Sequence, residues 1–455
     1  MIFRNQIIAN ASIFIGEKKT LDYEAICVFA ATGFFLDQDT YYKEQKALKP
    51  AHDYEIDGDK ILSERPYFKW HYAPIERPLT RVVKEFADLF ETIIKEQVGD
   101  KNVILPISGG LDSRTQAAAL YTLGNKVHAY GYAFQGGHDE IYYGKKIAKA
   151  CNFPFEDWKV PPSYLWNKIE DLAKINGCYS EFTHPRQMAF VEQYHHLGEI
   201  FSLGHWGDVL FDDMGVSDKL SLEKQVEVIG YKIIKKGGME LANSLWKTWK
   251  LEGDFESYFF ERIKKLVQKI DIPENANAQI RAFKSLYWAN RWTNSNLSVF
   301  ESARPISVPY FDNRMCEFIC TVPEKYLSGR KIQIEYLKLR MPEIAKITWQ
   351  DHRPFNLYHY HWNKSPYNLP FRVFNKIKKA LAKNSIQRNW ELQFLDNNND
   401  KKLQEWLFEN ESFKELIPKD VVTDFYNQFK NDDSVNYSHP VSMLLTLSLF
   451  TKLQR

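Results

Sequence analysis

A six-residue stretch in the first quarter of the chain combines groups that can hold phosphate. It consists of Ser108, Gly109, Gly110, Leu111, Asp112 and Ser113. The two glycines permit a tight turn that brings the backbone close to a ligand. A helix that begins directly afterwards points its free N–H groups toward the turn, which suits a phosphate group. The serine hydroxyls add further donors, so the pattern predicts a site for a phosphorylated ligand.

Asp112 has a different expected role in this loop. A carboxylate repels phosphate, so Asp112 is suited instead to a magnesium ion that the phosphates hold. The chain lacks the Gly-Lys-Ser/Thr ending of a Walker A loop and the three spaced glycines of a dinucleotide-binding fold. An ordinary strand-to-helix turn is the alternative interpretation. The agreement between turn, helix start and acid favours phosphate binding.

A second acid, Asp208, follows another predicted strand, residues 200–203, which ends at Gly204. Both acids therefore lie just beyond a parallel strand, at the sheet edge where α/β proteins bind ligands. Two carboxylates at that edge can share one magnesium ion that neutralises a leaving pyrophosphate. Taken alone, Asp208 is more typical of a helix N-cap or a surface acid than of a metal ligand. The pairing with Asp112 favours the magnesium site.

The elements that must position these acids alternate between strand and helix. Apolar runs predict strands over residues 103–107, 127–134 and 200–203, and apolar spacing predicts helices over 80–98, 113–123 and 139–151. Such alternation is typical of an α/β domain with a parallel sheet. Residues 1–60 carry strand and hairpin signals. From about residue 216 the pattern is mainly helical.

Composition restricts the class of protein. The 455 residues are 44% hydrophobic and 26% charged, with a net charge of +2. No basic block indicates nucleic acid as a partner, and no run approaches the ~20 apolar residues that span a bilayer, so no membrane partner is expected. Five scattered cysteines form neither a disulfide framework nor a zinc pattern. Together with the lack of a signal peptide, this predicts a cytoplasmic location.

The string Ser-Gly-Gly-Leu-Asp-Ser resembles the pyrophosphate loop of the asparagine synthetase family. The likeness extends over roughly residues 20–360. Residues 21–52 are similar to the family's connector before the synthetase domain, and residues 138–140, His-Asp-Glu, match a position on the nucleotide side. Residues 202–211, with Gly204 and Asp208, resemble the second phosphate-side loop. Residues 308–312, Val-Pro-Tyr-Phe-Asp, are similar to the Pro-Phe-Leu-Asp element.

This resemblance implies a fold and a domain organisation. The expected fold is α/β, with a parallel-sheet PP-loop domain of the adenine nucleotide alpha hydrolase-like type, a largely helical C-terminal part and a short N-terminal connector. The connector is expected over residues 1–78 and the synthetase-like domain over 79–455. Within that domain the ATP-binding core is expected at about 96–215 and the mainly helical part at about 216–455.

Two departures from the family concern the amine and the second step. Glutamine-dependent relatives begin Met-Cys, whereas this chain begins Met-Ile-Phe and reaches the loop by residue 108. The resemblance therefore implies no glutaminase domain here. The amine donor is then free ammonia, an amine of the substrate, or ammonia from a separate glutaminase.

The family also places a Lys near a Trp and before a Phe to stabilise charge in the second step. The matching position here holds His352, with Arg353 beside it. Arg353 can supply a fixed positive charge and His352 can carry a proton. The alternative is a cation pair without a catalytic role. Glu301 and Tyr287 are candidates for the family's Glu and Tyr of amine deprotonation.

The sequence thus predicts an ATP- and Mg²⁺-dependent ligase that adenylates a small-molecule or peptide carboxylate and passes the acyl group to ammonia or an amine. Ser108, Gly109, Gly110, Leu111, Ser113 and Gly204 are predicted to contact the nucleotide, and Asp112 and Asp208 the nucleotide and the metal. One alternative is an intramolecular amide cyclase of the lasso-peptide or β-lactam type, which needs no added ammonia. Another is a catalytically weak ATP-binding scaffold, which the change at His352 favours.

Overall fold

The computed structural model of the protein describes residues 2–8, 13–135, 141–182, 186–381 and 389–454. Ten strands occur within these ranges. They are β1 (Ile2–Arg4), β2 (Phe14–Ile15), β3 (Lys46–Ala47), β4 (His52–Asp57), β5 (Lys60–Pro66), β6 (Val103–Pro106), β7 (Val127–Phe134), β8 (Phe155–Val160), β9 (Ile200–Ser202) and β10 (Ile306–Ser307).

The central sheet has five strands, all parallel, in the order β10–β9–β6–β7–β8. The chain runs outward from β6 through β7 to β8 on one side, while β9 and β10 lie on the other. The strand order therefore reverses between β6 and β9, where the carboxyl ends of parallel strands leave a crevice for ligands. Both loops predicted to bind phosphate leave the sheet at this crevice.

The N-terminal part includes a smaller sheet and a two-stranded pair. β1, β4 and β5 form an antiparallel sheet, and β2 pairs with β3. The β4–β5 hairpin turns at Gly58, which lies within the predicted hairpin region.

The helical elements of the chain begin with α1 (Tyr23–Thr32), α2 (Leu79–Val98), α3 (Leu111–Leu123), α4 (Ile141–Ala150) and α5 (Tyr164–Asn176).

Helices dominate the rest of the chain. They are α6 (Gly207–Leu210), α7 (Leu222–Ile233), α8 (Gly238–Thr248), α9 (Phe255–Ile270), α10 (Ala276–Phe283), α11 (Asn294–Ala303), α12 (Asn313–Cys320), α13 (Glu324–Leu327), α14 (Lys331–Arg340), α15 (Pro342–Ala345), α16 (Leu369–Leu381), α17 (Asn389–Phe394), α18 (Asn397–Phe408), α19 (Glu411–Leu416), α20 (Lys419–Asn427) and α21 (Ser434–Leu453). A π-helical segment, Lys284–Thr293, joins α10 to α11. The 3₁₀ segments are Arg186–His196, Pro309–Phe311, Ser328–Arg330, Gln350–His352 and Tyr360–Trp362, and a second π-helical segment is Gln428–Asp432.

The predicted fold class is confirmed: a parallel α/β sheet precedes a largely helical part. The strand predicted over 127–134 matches β7, whereas α3 begins at Leu111, two residues before its predicted start. The sequence analysis missed β8 and β10 because edge strands pair on one side only and carry polar residues. It also missed α1, although Asp22 caps its start and Gly33 ends it in the left-handed conformation.

One hydrophobic cluster runs through the described residues from Ile7 to Phe450. α1 packs against α8 and α21, so the N-terminal segment shares this core with the C-terminal helices. The boundary predicted at residues 78 and 79 stays a prediction. None of the described helices has the length and apolar character needed to cross a bilayer.

Candidate functional site

A cavity of about 640 Å³ opens at the carboxyl ends of β6 and β9. Its lining includes the two loops, part of β7, Arg186 and Gln187, and side chains of the π-helical segment and of α11. We call residues 108–113 together with 204–208 the loop wall. We call the side chains opposite it the aromatic wall, which consists of Lys284, Trp288, Trp292, Val299 and Phe300.

The first loop connects β6 to α3 and ends at the helix N-terminus. Gly110 caps α3 through its backbone, and no side chain caps the helix. The N–H groups of a helix's first turn have no partner inside the helix, and the helix dipole makes this end positive. Gly110, Asp112 and Ser113 line the cavity at this end. The geometry thus offers a binding position for an anionic group such as phosphate.

Hydrogen bonds between the two serines hold this loop in shape. The Ser108 N–H donates to Ser113 Oγ at 3.1 Å, and the two hydroxyl oxygens are 3.2 Å apart. The Gly110 N–H donates to Ser108 Oγ at 3.2 Å. Both hydroxyls line the cavity, so the loop is already organised around the position that a ligand would take.

Two of the predicted loop residues do not line the cavity. The Leu111 side chain is 1% exposed and belongs to the core, so only its backbone can face a ligand. The Gly109 N–H donates to Gln350 Oε1 at 3.1 Å. A Cβ at Gly109 would lie 2.5 Å from that oxygen and 2.9 Å from Tyr143 Cβ. Gly109 therefore permits close packing behind the loop.

The second loop lies directly against Asp112. A Cβ at Gly204 would lie 2.9 Å from Asp112 Cβ, and one at Gly207 would overlap Asp112 Oδ1. Gln116 of α3 fixes the distance between the two loops, because its Nε2 donates to the Leu203 carbonyl at 2.9 Å and its Oε1 accepts from Ser202. Both glycines are thus needed to bring the second loop to Asp112.

Asp112 and Asp208 lie in one electrostatic cluster. Burial raises the pKa of Asp112, Arg330 lowers it, and the charge of Asp208 raises it again. Asp112 Oδ1 pairs with the Arg330 guanidinium and accepts from Gln333 Nε2 at 3.0 Å. Gln333 also donates to the Tyr310 hydroxyl at 2.8 Å. Tyr310 belongs to the segment that resembles the family's Pro-Phe-Leu-Asp element.

The donor set fits a magnesium ion that shares its ligands with a nucleotide. Mg²⁺ is commonly held by one or two carboxylates, phosphate oxygens and water. Asp112 and Asp208 both line the cavity, Asp112 in the first loop and Asp208 at the end of the second. Within the described ranges, no group of three or more His, Cys, Asp or Glu side chains could hold a metal. A metal here would therefore need oxygens from its phosphate ligand.

Lys284 is a cation of this cavity that sequence reasoning missed. Burial, together with the charge of Lys232, lowers its pKa to about 8, and the charge of Asp208 opposes this shift. Its ammonium lies 5.4 Å from the Trp288 ring centroid and 5.8 Å from that of Trp206. Lys284, Trp288 and Trp292 follow one another at four-residue spacing in the π-helical segment, which puts them on one face.

The predicted second-step cations lie elsewhere. His352 stacks on Trp349 with ring centroids 4.0 Å apart, and Arg353 Nε donates to the Gln350 carbonyl at 2.9 Å. Neither side chain lines the cavity. Their segment reaches the loop through Gln350 instead. Tyr287 lines a separate small cavity beside Asp37, and Glu301 is exposed on α11.

The roles of these four residues stay predictions. His138, Asp139 and Glu140, which the resemblance placed on the nucleotide side, lie outside the described residues.

Arg114 ties the loop to the segment that carries Gln350. Its buried guanidinium donates to the carbonyls of Gly109, Ile344, Ile347 and Thr348, at 2.9 to 3.1 Å. Burial lowers its pKa to about 10. A cation near a helix N-terminus opposes the helix dipole. An Arg at this position of the sequence therefore indicated that other groups must offset its unfavourable interaction with the dipole. The four carbonyl oxygens do so.

Comparison with known proteins gives partial matches. No family model matches the chain. It is 23% identical over 179 residues to asparagine synthetase [glutamine-hydrolyzing] 1 of Bacillus subtilis (strain 168), a match that covers 35% of this chain and 28% of that protein. It is 49% identical over 47 residues to GMP synthase [glutamine-hydrolyzing] of Ehrlichia chaffeensis (strain ATCC CRL-10679 / Arkansas), which covers 10% of this chain and 9% of that protein.

Among solved structures, NMN synthetase from Francisella tularensis matches with a TM-score of 0.24 and 14% identity, over 46% of this chain and 93% of that one. A TM-score this low carries no conclusion. The two sequence matches are to proteins named as a synthetase and a synthase, and they support a relationship to the PP-loop superfamily. They span less than a third of either relative, and they do not establish the asparagine synthetase family.

Proposed function

We propose that this protein is an asparagine synthetase-like ligase that uses ATP to adenylate a carboxylate and then forms an amide. The observation that carries the proposal is the meeting of the phosphate loop, Asp112 and Asp208 in one cavity. The helix N-terminus and the serine hydroxyls would bind the pyrophosphate part of ATP. Asp112 and Asp208 would hold Mg²⁺, which would neutralise charge on the leaving pyrophosphate.

The first half-reaction follows from this placement. With its β- and γ-phosphates at the loop, ATP would present its α-phosphorus to the open cavity. A carboxylate oxygen of the substrate would attack that phosphorus, the bond to the β-phosphate oxygen would break, and pyrophosphate would leave. The product would be an acyl-adenylate. Because the hydrogen bonds of the loop are already formed before ATP binds, the protein would need little reorganisation to stabilise the charge that develops in the reaction.

The second half-reaction needs an amine and a cation. The amine nitrogen would attack the acyl carbon, the bond to the AMP oxygen would break, and a proton would leave the nitrogen. Lys284 and Arg186 both line the cavity. Because Lys284 interacts with Asp208 and belongs to the aromatic wall, we assign to it the stabilisation of charge on the departing AMP or on the acyl oxygen. We therefore propose Lys284, in place of His352 and Arg353, as the cation of the second half-reaction. The amine is ammonia or an amine-bearing substrate, and a separate glutaminase is a possible source of ammonia.

The aromatic wall indicates what the carboxylate carries. Trp288, Trp292 and Phe300 provide broad apolar faces on which a ring or chain of the substrate can pack. A small-molecule acid or the end of a peptide fits this description. An intramolecular cyclase would use the same two steps, with the amine on the substrate itself.

The test is substrate-dependent exchange of labelled pyrophosphate into ATP in the presence of Mg²⁺. The panel contains aspartate, glutamate, peptide acids and uronic acids. We expect one class of acid to support exchange, and Asp112→Asn to abolish it. Asp420→Asn is the matched control, because Asp420 is likewise the second residue of its helix, α20, and is exposed. It should exchange like the parent.

Other outcomes separate the alternatives. Exchange without added ammonia that ends in a cyclised peptide would identify a cyclase. ATP binding without exchange for any acid, and without AMP formation, would contradict the ligase and favour a scaffold. Failure to bind ATP at all would refute the proposal.

A further inference from the structure

A basic surface with an exposed apolar face lies in the C-terminal part of the chain, apart from the cavity. Residues 352–381 contain six Lys or Arg residues and no Asp or Glu. They are Arg353, Lys364, Arg372, Lys376, Lys378 and Lys379. The whole chain has nearly equal numbers of both signs, 60 Lys plus Arg against 58 Asp plus Glu. The segment is therefore a local concentration of positive charge.

The apolar side chains of α16 face outward. Leu369, Val373 and Ile377 follow one another at four-residue spacing, which puts them on one face of the helix. Their exposed fractions are 45%, 56% and 54%. Phe374 beside them is 62% exposed. Arg372 and Lys376 are exposed as well, and as the residues directly before Val373 and Ile377 they flank this apolar face about 100° around the helix. Water thus contacts a continuous apolar face that a folded protein ordinarily covers.

Aromatic side chains extend this surface before the helix. Trp362 and Tyr367 are 42% and 59% exposed, and their rings stack with centroids 6.0 Å apart. Trp and Tyr are favoured where one end of a side chain meets apolar material and the other meets water. Together with α16 they form what we call the basic amphipathic surface: Trp362, Tyr367, Leu369, Val373, Phe374 and Ile377, with their neighbouring cations.

We propose that the basic amphipathic surface binds the interface of a membrane that contains anionic lipids. An amphipathic helix with Lys and Arg on its polar face lies in the plane of such an interface, with its apolar face among the acyl chains. The 13 residues of α16 would occupy about 20 Å of that plane. Charge favours a lipid partner, because the sequence of residues 352–381 has six cations and no acid, which is complementary to an anionic lipid surface.

This proposal is independent of the ligase assignment and departs from the expectation of no membrane partner. That expectation rested on the lack of a spanning segment, which does not bear on a helix that lies on the surface. Binding would hold the enzyme at a membrane without insertion across it.

The test is co-sedimentation of the full-length protein with lipid vesicles at low salt. One set is phosphatidylcholine alone, and the other has roughly a third of its lipid replaced by phosphatidylglycerol. We expect binding to the anionic vesicles only, and loss of binding as salt rises. Val373→Glu with Ile377→Glu should abolish binding. Arg372→Ala with Lys376→Ala should weaken it about 25-fold, since each cation near an anionic surface contributes about fivefold.

Leu62→Glu with Tyr231→Glu is the matched control, because these side chains are 60% and 59% exposed on other elements. It should bind like the parent, and all variants should retain the parent's thermal unfolding midpoint. The proposal fails if the folded parent binds neither type of vesicle, or if the control loses binding as the test variant does. It also fails if Val373→Glu with Ile377→Glu converts a dimer into a monomer without any effect of lipid, because the surface would then join two copies of the chain.

Discussion

The two walls of the cavity are built by different means. The loop wall consists of backbone and small residues joined by local hydrogen bonds, and Gly204 and Gly207 leave no room for a methyl group beside Asp112. The aromatic wall consists of large rings around a single cation, Lys284. A wall without free space accepts one ligand shape, whereas a wall of broad apolar faces accepts many. We infer that the loop wall is specialised for the phosphates and that the aromatic wall determines which acid is used.

We expect Gly207→Ala to disrupt the loop wall and to cause the largest loss of activity among these substitutions. In Gly207→Ala the new Cβ would overlap Asp112 Oδ1 and lie 2.8 Å from Tyr310 Cε2. Asp112 must then move, and we expect pyrophosphate exchange to fall about a thousandfold, since misplaced catalytic groups lose rate steeply.

Gly253→Ala is the control for this prediction. Gly253 has a positive φ of 69° and no neighbour within 4 Å of an added Cβ. Its substitution should lower stability by about 1 kcal/mol and leave exchange intact. Parent-like exchange in folded Gly207→Ala would show that the two loops are not held against each other in the active protein.

A change at Lys284 should affect the aromatic wall and the second half-reaction. We expect Lys284→Met to lower amide formation about 100-fold while pyrophosphate exchange falls much less, because exchange reports only the first half-reaction. The two rates are measured on the same preparation. Lys232→Met, which removes the cation that lowers the pKa of Lys284, should leave amide formation near the parent rate. Equal loss of both rates in Lys284→Met would place Lys284 in the first half-reaction instead.

The contrast between the walls also explains what the sequence could predict. The first loop is local: a buried strand, two glycines and a helix start within ten residues, so its geometry follows from neighbours in the chain. Asp208 was predictable because parallel strands end at one edge of the sheet. Arg330, which pairs with Asp112, lies more than 200 residues away in a 3₁₀ turn and has a left-handed backbone. No spacing rule connects it to the loop.

The aromatic wall was missed for a related reason. Lys284, Trp288 and Trp292 look like one side of an ordinary amphipathic helix in the sequence. Only the contact of the π-helical segment with Trp206 of the second loop turns them into a cavity wall. The same limit applies to the segment after Trp349, where spacing indicated His352 and Arg353. The side chain that contacts the phosphate loop there is Gln350.

His205 lies where the two walls meet and should make stability depend on pH. Burial lowers its pKa to about 4, against an ordinary value of 6.5, and Asp208 opposes the shift. The unfolded chain therefore binds more protons than the folded one between these values, so stability should rise with pH from about 4 to 6.5. Because the side chain is half-buried, we expect an effect of about 1–2 kcal/mol.

Urea unfolding of the parent and of His205→Asn at both ends of this window measures that effect. Asn cannot take up a proton, so the variant should lose less stability than the parent on acidification. His195→Asn, on a different surface, is the control and should follow the parent. Identical pH profiles for the parent and His205→Asn would mean that His205 is solvated in solution.

The smallest expected effect concerns the support behind the loop wall. Gln350→Ala removes the acceptor of the Gly109 N–H, while Arg114 still holds the Gly109 carbonyl and the neighbouring segment. We expect the KM for ATP to rise a few-fold, in line with about 1 kcal/mol for one hydrogen bond, with kcat nearly unchanged. Arg353→Ala is the matched comparison from the same turn, since its exposed guanidinium contacts the Gln350 carbonyl and not the cavity. If Arg353→Ala instead lowers kcat for amide formation while Lys284→Met does not, the cation of the second step comes from this turn and the aromatic wall only shapes the substrate.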